Sequence, residues 1–262
     1  MMEKEVKITG EEAEEFALFK REKQLRKIKS DLRKCVLEID GSKERAASLL
    51  KSAAEVGVSS VKLYPAYLEL AKNLLKSSPV LIDCRVGGVG KTLKKVKVYE
   101  TKIALRAGAK EITLILDDDL LLKENTDELK REIKSVKRAF KGGAIKLYTS
   151  LTDKTVLFRL AKIAACLGVW FISVPYEANL LSFQEELHGV CFVEFRGVTE
   201  SILFKELLER GIIRVAVNDV KSLEKELIEK LPPLESGFTR KKSVPPSAMI
   251  PTLLFENADE KY

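Results

Sequence analysis

Eight short β-rich runs, each followed by a stretch of helical periodicity, constrain this chain more than any other feature of it. The runs are Cys35–Ile39, Ser60–Tyr64, Val80–Cys84, Glu111–Leu116, Ala144–Tyr148, Val169–Val174, Val190–Phe195 and Ile212–Val217. Helical stretches follow them at Glu44–Glu55, Ala66–Lys76, Thr92–Ala107, Asn125–Phe140, Asp153–Leu167, Glu177–Leu187, Glu200–Arg210 and Val220–Lys230. Glycine ends several helices, at Gly57, Gly108, Gly168, Gly189 and Gly211, in the left-handed position that it fills at least cost. Eight strand–helix units in series predict an α/β fold, the (β/α)8 TIM barrel, whose functional groups sit at the C-terminal ends of the strands.

The units occupy residues 34–230. Residues 1–33 read as an N-terminal helical extension, either a helix packed on a barrel end or a partly ordered arm. Residues 231–262 hold Pro232, Pro233, Pro245, Pro246 and Pro251 with no amphipathic period, and read as an extended tail. Its Ile250 and Leu253–Phe255 are suited to dock on the barrel or a partner.

A hydrophobic content of 45% suffices for a core, yet no run is long enough to span a membrane. The charged start, MMEKEVKITGEEAEEF, does not fit a signal peptide, so a cytoplasmic location is expected. Charged residues make up 32% of the chain, while glutamine occurs only at Gln24 and Gln184, a thermophilic bias. Cys35, Cys84, Cys166 and Cys191 fit no zinc spacing and read as buried thiols. No metal and no cofactor are expected.

The loop after the third run needs a decision. Gly87–Thr92, GGVGKT, ends like a phosphate-cradling P-loop, but Arg85 stands where the full pattern needs glycine. A tight turn, with Thr92 as N-cap of the next helix, is the preferred reading.

Four segments carry a resemblance: SSVKLYPAYLELAKNLLK (Ser59–Lys76), GKTLKKVKVYETKIALRAGAKEI (Gly90–Ile112), LTDKT (Leu151–Thr155) and ERGIIRV (Glu209–Val215). Over about Cys35–Leu227 the chain resembles deoxyribose-phosphate aldolase, a class I aldolase and lyase with a TIM barrel. On that resemblance Val86–Gly90 takes the place of the family's Gly-Phe-Pro-Leu-Gly loop.

The resemblance also implies a loss of chemistry. Such enzymes form a Schiff base on a strand-six lysine, helped by a strand-seven lysine and a strand-four aspartate. The matching positions here hold Ser173, Val193 and Thr113. The family's glycine- and serine-rich phosphate loops are replaced by Pro175-Tyr176-Glu177, Phe195-Arg196-Gly197 and Ala216–Val220, of which only Gly197 fits. Tyr64, Arg196, Gly197 and Asn218 remain as candidate ligand contacts at the strand ends.

Lys62 is the candidate replacement nucleophile, since the resemblance points its side chain into the barrel, where burial makes an amine easier to deprotonate. The plainer expectation is a lysine paired with Glu38 or another inward acid. Glu194 and Arg196, near the top of the seventh run, are equally candidates for a structural ion pair. Lys91, Lys94, Lys95 and Lys97 gather at a helix N-terminus, against the macrodipole, and with a net charge of +7 suggest a polyanion contact, nucleic acid included. A solvated lysine-rich face is the alternative.

The expectation is therefore a non-catalytic binding or assembly subunit, a pseudoenzyme with a protein partner or a second copy of itself. The alternative is a divergent class I aldolase acting on a different carbonyl substrate through a relocated Lys62.

Overall fold

A computed structural model describes residues 10–123 and 126–232. The expected tail and the first residues of the extension lie outside the described residues. Lys23–Leu231 form one compact unit, and residues 10–22 are grouped apart from it. A helix, α1 (Gly10–Leu32), runs into the first unit, where its Ile28 and Leu32 are buried in the core.

Eight parallel strands close into a barrel in sequence order. They are β1 (Cys35–Glu38), β2 (Ser60–Leu63), β3 (Leu81–Val86), β4 (Glu111–Ile115), β5 (Ala144–Tyr148), β6 (Phe171–Pro175), β7 (Phe192–Arg196) and β8 (Arg214–Val217). Closure is made where Cys35, Val36 and Leu37 pair with Val215, Ala216 and Val217. The fold expected from the alternation is thus present.

The outer ring comprises α2 (Lys43–Val56), α3 (Leu68–Leu74), α4 (Lys94–Arg106), α5 (Asp118–Leu122), α6 (Asp127–Ala139), α7 (Lys154–Cys166), α8 (Phe183–Glu186), α9 (Ser201–Glu209) and α10 (Val220–Glu229). Helix α7 illustrates how sequence sets local structure. Asp153 caps it by accepting from the Val156 amide at 2.9 Å, and Val156, Leu157, Leu160, Ala161 and Ala164 line its buried face.

Three local expectations are corrected. Thr92 is not the N-cap of α4: Leu93 takes that position, and the Thr92 hydroxyl donates to the Gly87 carbonyl at 2.9 Å instead. The expected helix over Glu177–Leu187 is broken into a 3-10 turn at Ala178–Leu180 and the short α8. There the Gln184 side chain serves the backbone of β7, accepting from Val193 N at 2.7 Å and donating to the Cys191 carbonyl at 3.2 Å. Cys166 is exposed at the end of α7, while Cys35, Cys84 and Cys191 are buried as expected. Burial pushes the Cys191 thiol up to about 12, which leaves it unreactive at neutral pH.

The glycine loop after β3 packs tightly rather than standing open. Gly90 has φ +93°, and a Cβ there would lie 2.1 Å from the Leu116 carbonyl oxygen. Gly57 is also left-handed, at φ +78°, but nothing lies within 4 Å of its Cβ position. Gly90→Ala should therefore cost more stability than Gly57→Ala, which carries only the left-handed penalty of about 1–2 kcal/mol. Urea unfolding midpoints measure the difference; equal losses would mean that the loop does not press on the chain after β4.

Candidate functional site

Side chains alternate along each strand, so every second residue enters the barrel. Register identifies them: Glu38 pairs with Lys62, Lys62 with Asp83, and Asp83 with Glu111. Further round, Thr113 pairs with Lys146, Tyr148 with Ser173, Ser173 with Glu194, and Glu194 with Arg214. The interior is therefore filled with charge rather than with branched aliphatics.

These groups form one network. Lys146 Nζ lies 2.9 Å from Asp83, 2.9 Å from Glu111 and 2.7 Å from Glu194, and the lysine is 1% exposed. Lys62 Nζ is ion-paired to Glu194 and, at 3.4 Å, to Glu38; it also donates to the Ser173 hydroxyl at 3.4 Å. Ser173 donates to Glu194 at 2.8 Å, and Arg214 pairs with Glu111 at 3.1 Å. Burial favours the neutral form of Lys146, but Asp83, Glu194 and Glu111 outweigh it and hold its pKa well above that of an ordinary lysine. Burial would likewise raise the Glu194 carboxyl, yet the flanking Lys146 and Lys62 hold it well below the usual carboxylate range.

Nearer the C-terminal ends of the strands the groups are larger. Arg85 pairs with Asp40 at 3.2 Å and Glu38 at 3.4 Å and lies 4.8 Å over the Tyr64 ring. Arg196 stacks 3.6 Å from the Tyr148 ring centroid and donates to the Thr149 carbonyl at 2.7 Å.

The sequence candidates divide in this frame. Lys62 and Ser173 meet, although their strands lie on opposite sides of the barrel. Thr113 faces inward and donates to both oxygens of Asp83, at 3.0 and 2.9 Å. Val193 faces the helices, because Ser173 pairs with Glu194 and the alternation turns Val193 outward. The inward residue of β7 at that level is Glu194. The candidate ion pair of Glu194 with Arg196 is not formed: Glu194 is taken by lysines and Arg196 by Tyr148 and Thr149. Tyr64 is 41% exposed at the end of β2, Gly197 follows β7 with φ +77°, and Asn218 is exposed after β8.

The lysine cluster on α4 changes most. Lys97 is fully buried, bonded to Glu132 at 2.8 Å and to the Ile115 carbonyl at 3.0 Å, so it is no part of a surface. Lys91 pairs with Asp119 at 2.7 Å, which leaves Lys94 and Lys95 exposed without an ion partner among the described residues.

Asp83, Glu111, Lys146, Tyr148 and Arg214 were not singled out from sequence, and Arg85 was noted only as a departure from the P-loop pattern. The signal was available: each is a polar residue inside a β-rich run, as in LIDCRV or AIKLY, at a two-residue spacing. A polar group persisting in a strand covered by helices has to face the barrel interior and find a partner there.

The site is thus a closed eight-stranded barrel with lysines and carboxylates on its inner face. No protein-family model matches the chain. Curated relatives do: a deoxyribose-phosphate aldolase of Metamycoplasma hominis is 34% identical, over 52% of this chain and 65% of that one. That of Mycoplasmoides pirum is 28% identical over 74% of this chain and 95% of its own length. Against the first relatives the chain spans just under two thirds of their length, 65% and 64%. An aldolase named QR15 superposes with a TM-score of 0.70 at 18% identity, covering 76% of this chain and 96% of that one. The deoxyribose phosphate aldolase of Aeropyrum pernix, described as having a unique tetrameric structure, gives 0.65 at 16% identity, covering 81% and 95%. The chain is thus similar in sequence to deoxyribose-phosphate aldolases and shares the barrel fold of solved aldolases.

Proposed function

We propose that this aldolase-like barrel does not perform the aldol reaction and serves as a cytoplasmic binding or assembly subunit. What carries the reading is the condition of the two barrel lysines. Lys62 and Lys146 are 0% and 1% exposed and both are ion-paired to carboxylates, so neither offers a free amine to a carbonyl. The strand-six position itself holds Ser173. Neither the cleft of about 430 Å³ beside Trp170 nor that of about 340 Å³ beside Lys91 is lined by these lysines. No helix among the described residues is long and apolar enough to cross a membrane. The tetramer of the Aeropyrum pernix relative supports a homo-oligomer as the assembly partner. A cleavage assay on deoxyribose 5-phosphate is expected to give the buffer rate. Saturable turnover abolished by Lys62→Ala would overturn the reading.

One observation favours a second reading, a divergent lyase. Lys62 Nζ reaches the hydroxyl of Ser173, and the Asp83 carboxylate reaches that of Thr113. A lysine and an aspartate from other strands thus arrive at the two positions where the family's own are replaced. If Lys62 is released from Glu194 on binding a substrate, it becomes the relocated nucleophile.

Polyanion contact is proposed on a revised set. Lys94, Lys95, Lys102 and Arg106 are exposed on α4, have no ion partner among the described residues, and flank the 62% exposed Tyr99. Replacing all four with glutamate should abolish salt-sensitive retention on heparin. Retention that persists would make this a solvated face.

A further inference from the structure

Five cations project from the strands toward the barrel interior: Lys62, Arg85, Lys146, Arg196 and Arg214. Four have carboxylate partners within 3.4 Å: Lys62 and Arg85 have two each, Lys146 three and Arg214 one. Arg196 has none among the described residues. Its guanidinium donates to the Thr149 carbonyl and stacks on Tyr148, and its Nε is buried with no hydrogen-bond partner among the described residues. Glu38 and Glu194 act on it only at a distance, each already bonded to other cations.

A half-buried guanidinium without a counter-charge is costly, and the surrounding network shows how readily this barrel supplies one elsewhere. Burial lowers the Arg196 pKa, as expected for a cation short of anions. The side chain sits near the C-terminal end of β7 and keeps part of its surface open, so a ligand can approach it.

We propose that Arg196 binds the carboxylate of a small monoanionic ligand, with Tyr148 fixing the plane of the guanidinium. Two features select a carboxylate over a phosphate ester. A single unpaired positive charge matches one negative charge, whereas a phosphate monoester carries nearly two. The exposed Glu177 and Asp219, which follow β6 and β8, oppose the second. A planar guanidinium held against a ring also makes the directed, charge-assisted hydrogen bonds that a planar carboxylate accepts.

The inference names the ligand class for the binding function proposed above and rests on that reading for its biological sense, but the two fail separately. Propionate binding is measured without any aldehyde. Its absence would leave the loss of aldol chemistry standing, and a trapped imine would leave the carboxylate site standing. The experiment is equilibrium dialysis of radiolabelled propionate against the full chain, Arg196→Gln and Arg196→Lys, at constant ionic strength. One equivalent is expected on the unmodified chain. Its dissociation constant should rise on the order of tenfold or more in both variants, as for a lost charge-assisted hydrogen bond. Inorganic phosphate should not displace propionate at equal concentration. Arg196→Lys keeps the charge, so it serves if the glutamine variant fails to fold. No bound propionate, unchanged affinity in a folded variant, or displacement by phosphate would each overturn the proposal.

Discussion

Replacing Lys146 with methionine should destabilise the protein by about 3–5 kcal/mol, the usual cost of removing one partner from a buried ion cluster. Methionine fills much of the same volume, so the loss is electrostatic rather than a cavity. Asp83, Glu111 and Glu194 lie within 2.9 Å of the lysine, and all three are less than 9% exposed, too dry for water to replace it. At about 2–4 °C per kcal/mol for a chain of this size, the melting midpoint should fall on the order of 10 °C. Lys225→Met is the control: that lysine's side chain is 77% exposed and pairs with Glu229 at 3.8 Å, and surface pairs of this kind contribute little. Adding Glu194→Gln to Lys146→Met should cost less than the sum of the two changes, because the second removes a charge that the first left unpaired. A loss no greater than that of Lys225→Met would show that the barrel interior is wetter and less ordered than described.

The barrel was legible because its units are local. β-rich runs bounded by glycine caps gave all eight strands, and bounds moved by at most two residues, as at Phe171 and Arg214. Helix α5 was not read because Asp117-Asp118-Asp119 look like a turn; Asp117 in fact caps it by accepting from Asp119 N at 3.1 Å. The interior network was hidden for a different reason. Glu194 meets Lys62 and Lys146 only once the sheet closes, across separations of 132 and 48 residues that no local pattern connects. Lys97 shows the same limit on a helix. It stands in a run of lysines and reads as solvated, yet its partner Glu132 comes from α6, 35 residues on. Ser173 and Thr113 lie on the inner face, whereas strand register turns Val193 outward and places Glu194 inside at that level, a one-residue difference that resemblance between sequences does not resolve.

The second large effect, expected on the proposed reading, is an absence of imine chemistry. Serine at position 173 cannot form an imine, and loss of acid–base help alone costs on the order of 10² to 10⁴ in rate. The remaining interior amines are buried and ion-paired: forming an imine on Lys62 would first require breaking its contacts with Glu194 and Glu38 inside a dry barrel, and Lys146 is held by three carboxylates. The most direct measurement is intact mass after incubation of the full chain with deoxyribose 5-phosphate and borohydride, followed by peptide mapping. The account predicts no adduct on either barrel lysine. A stoichiometric reduced adduct that maps to Lys62 and disappears in Lys62→Ala would contradict it and establish a relocated catalytic lysine.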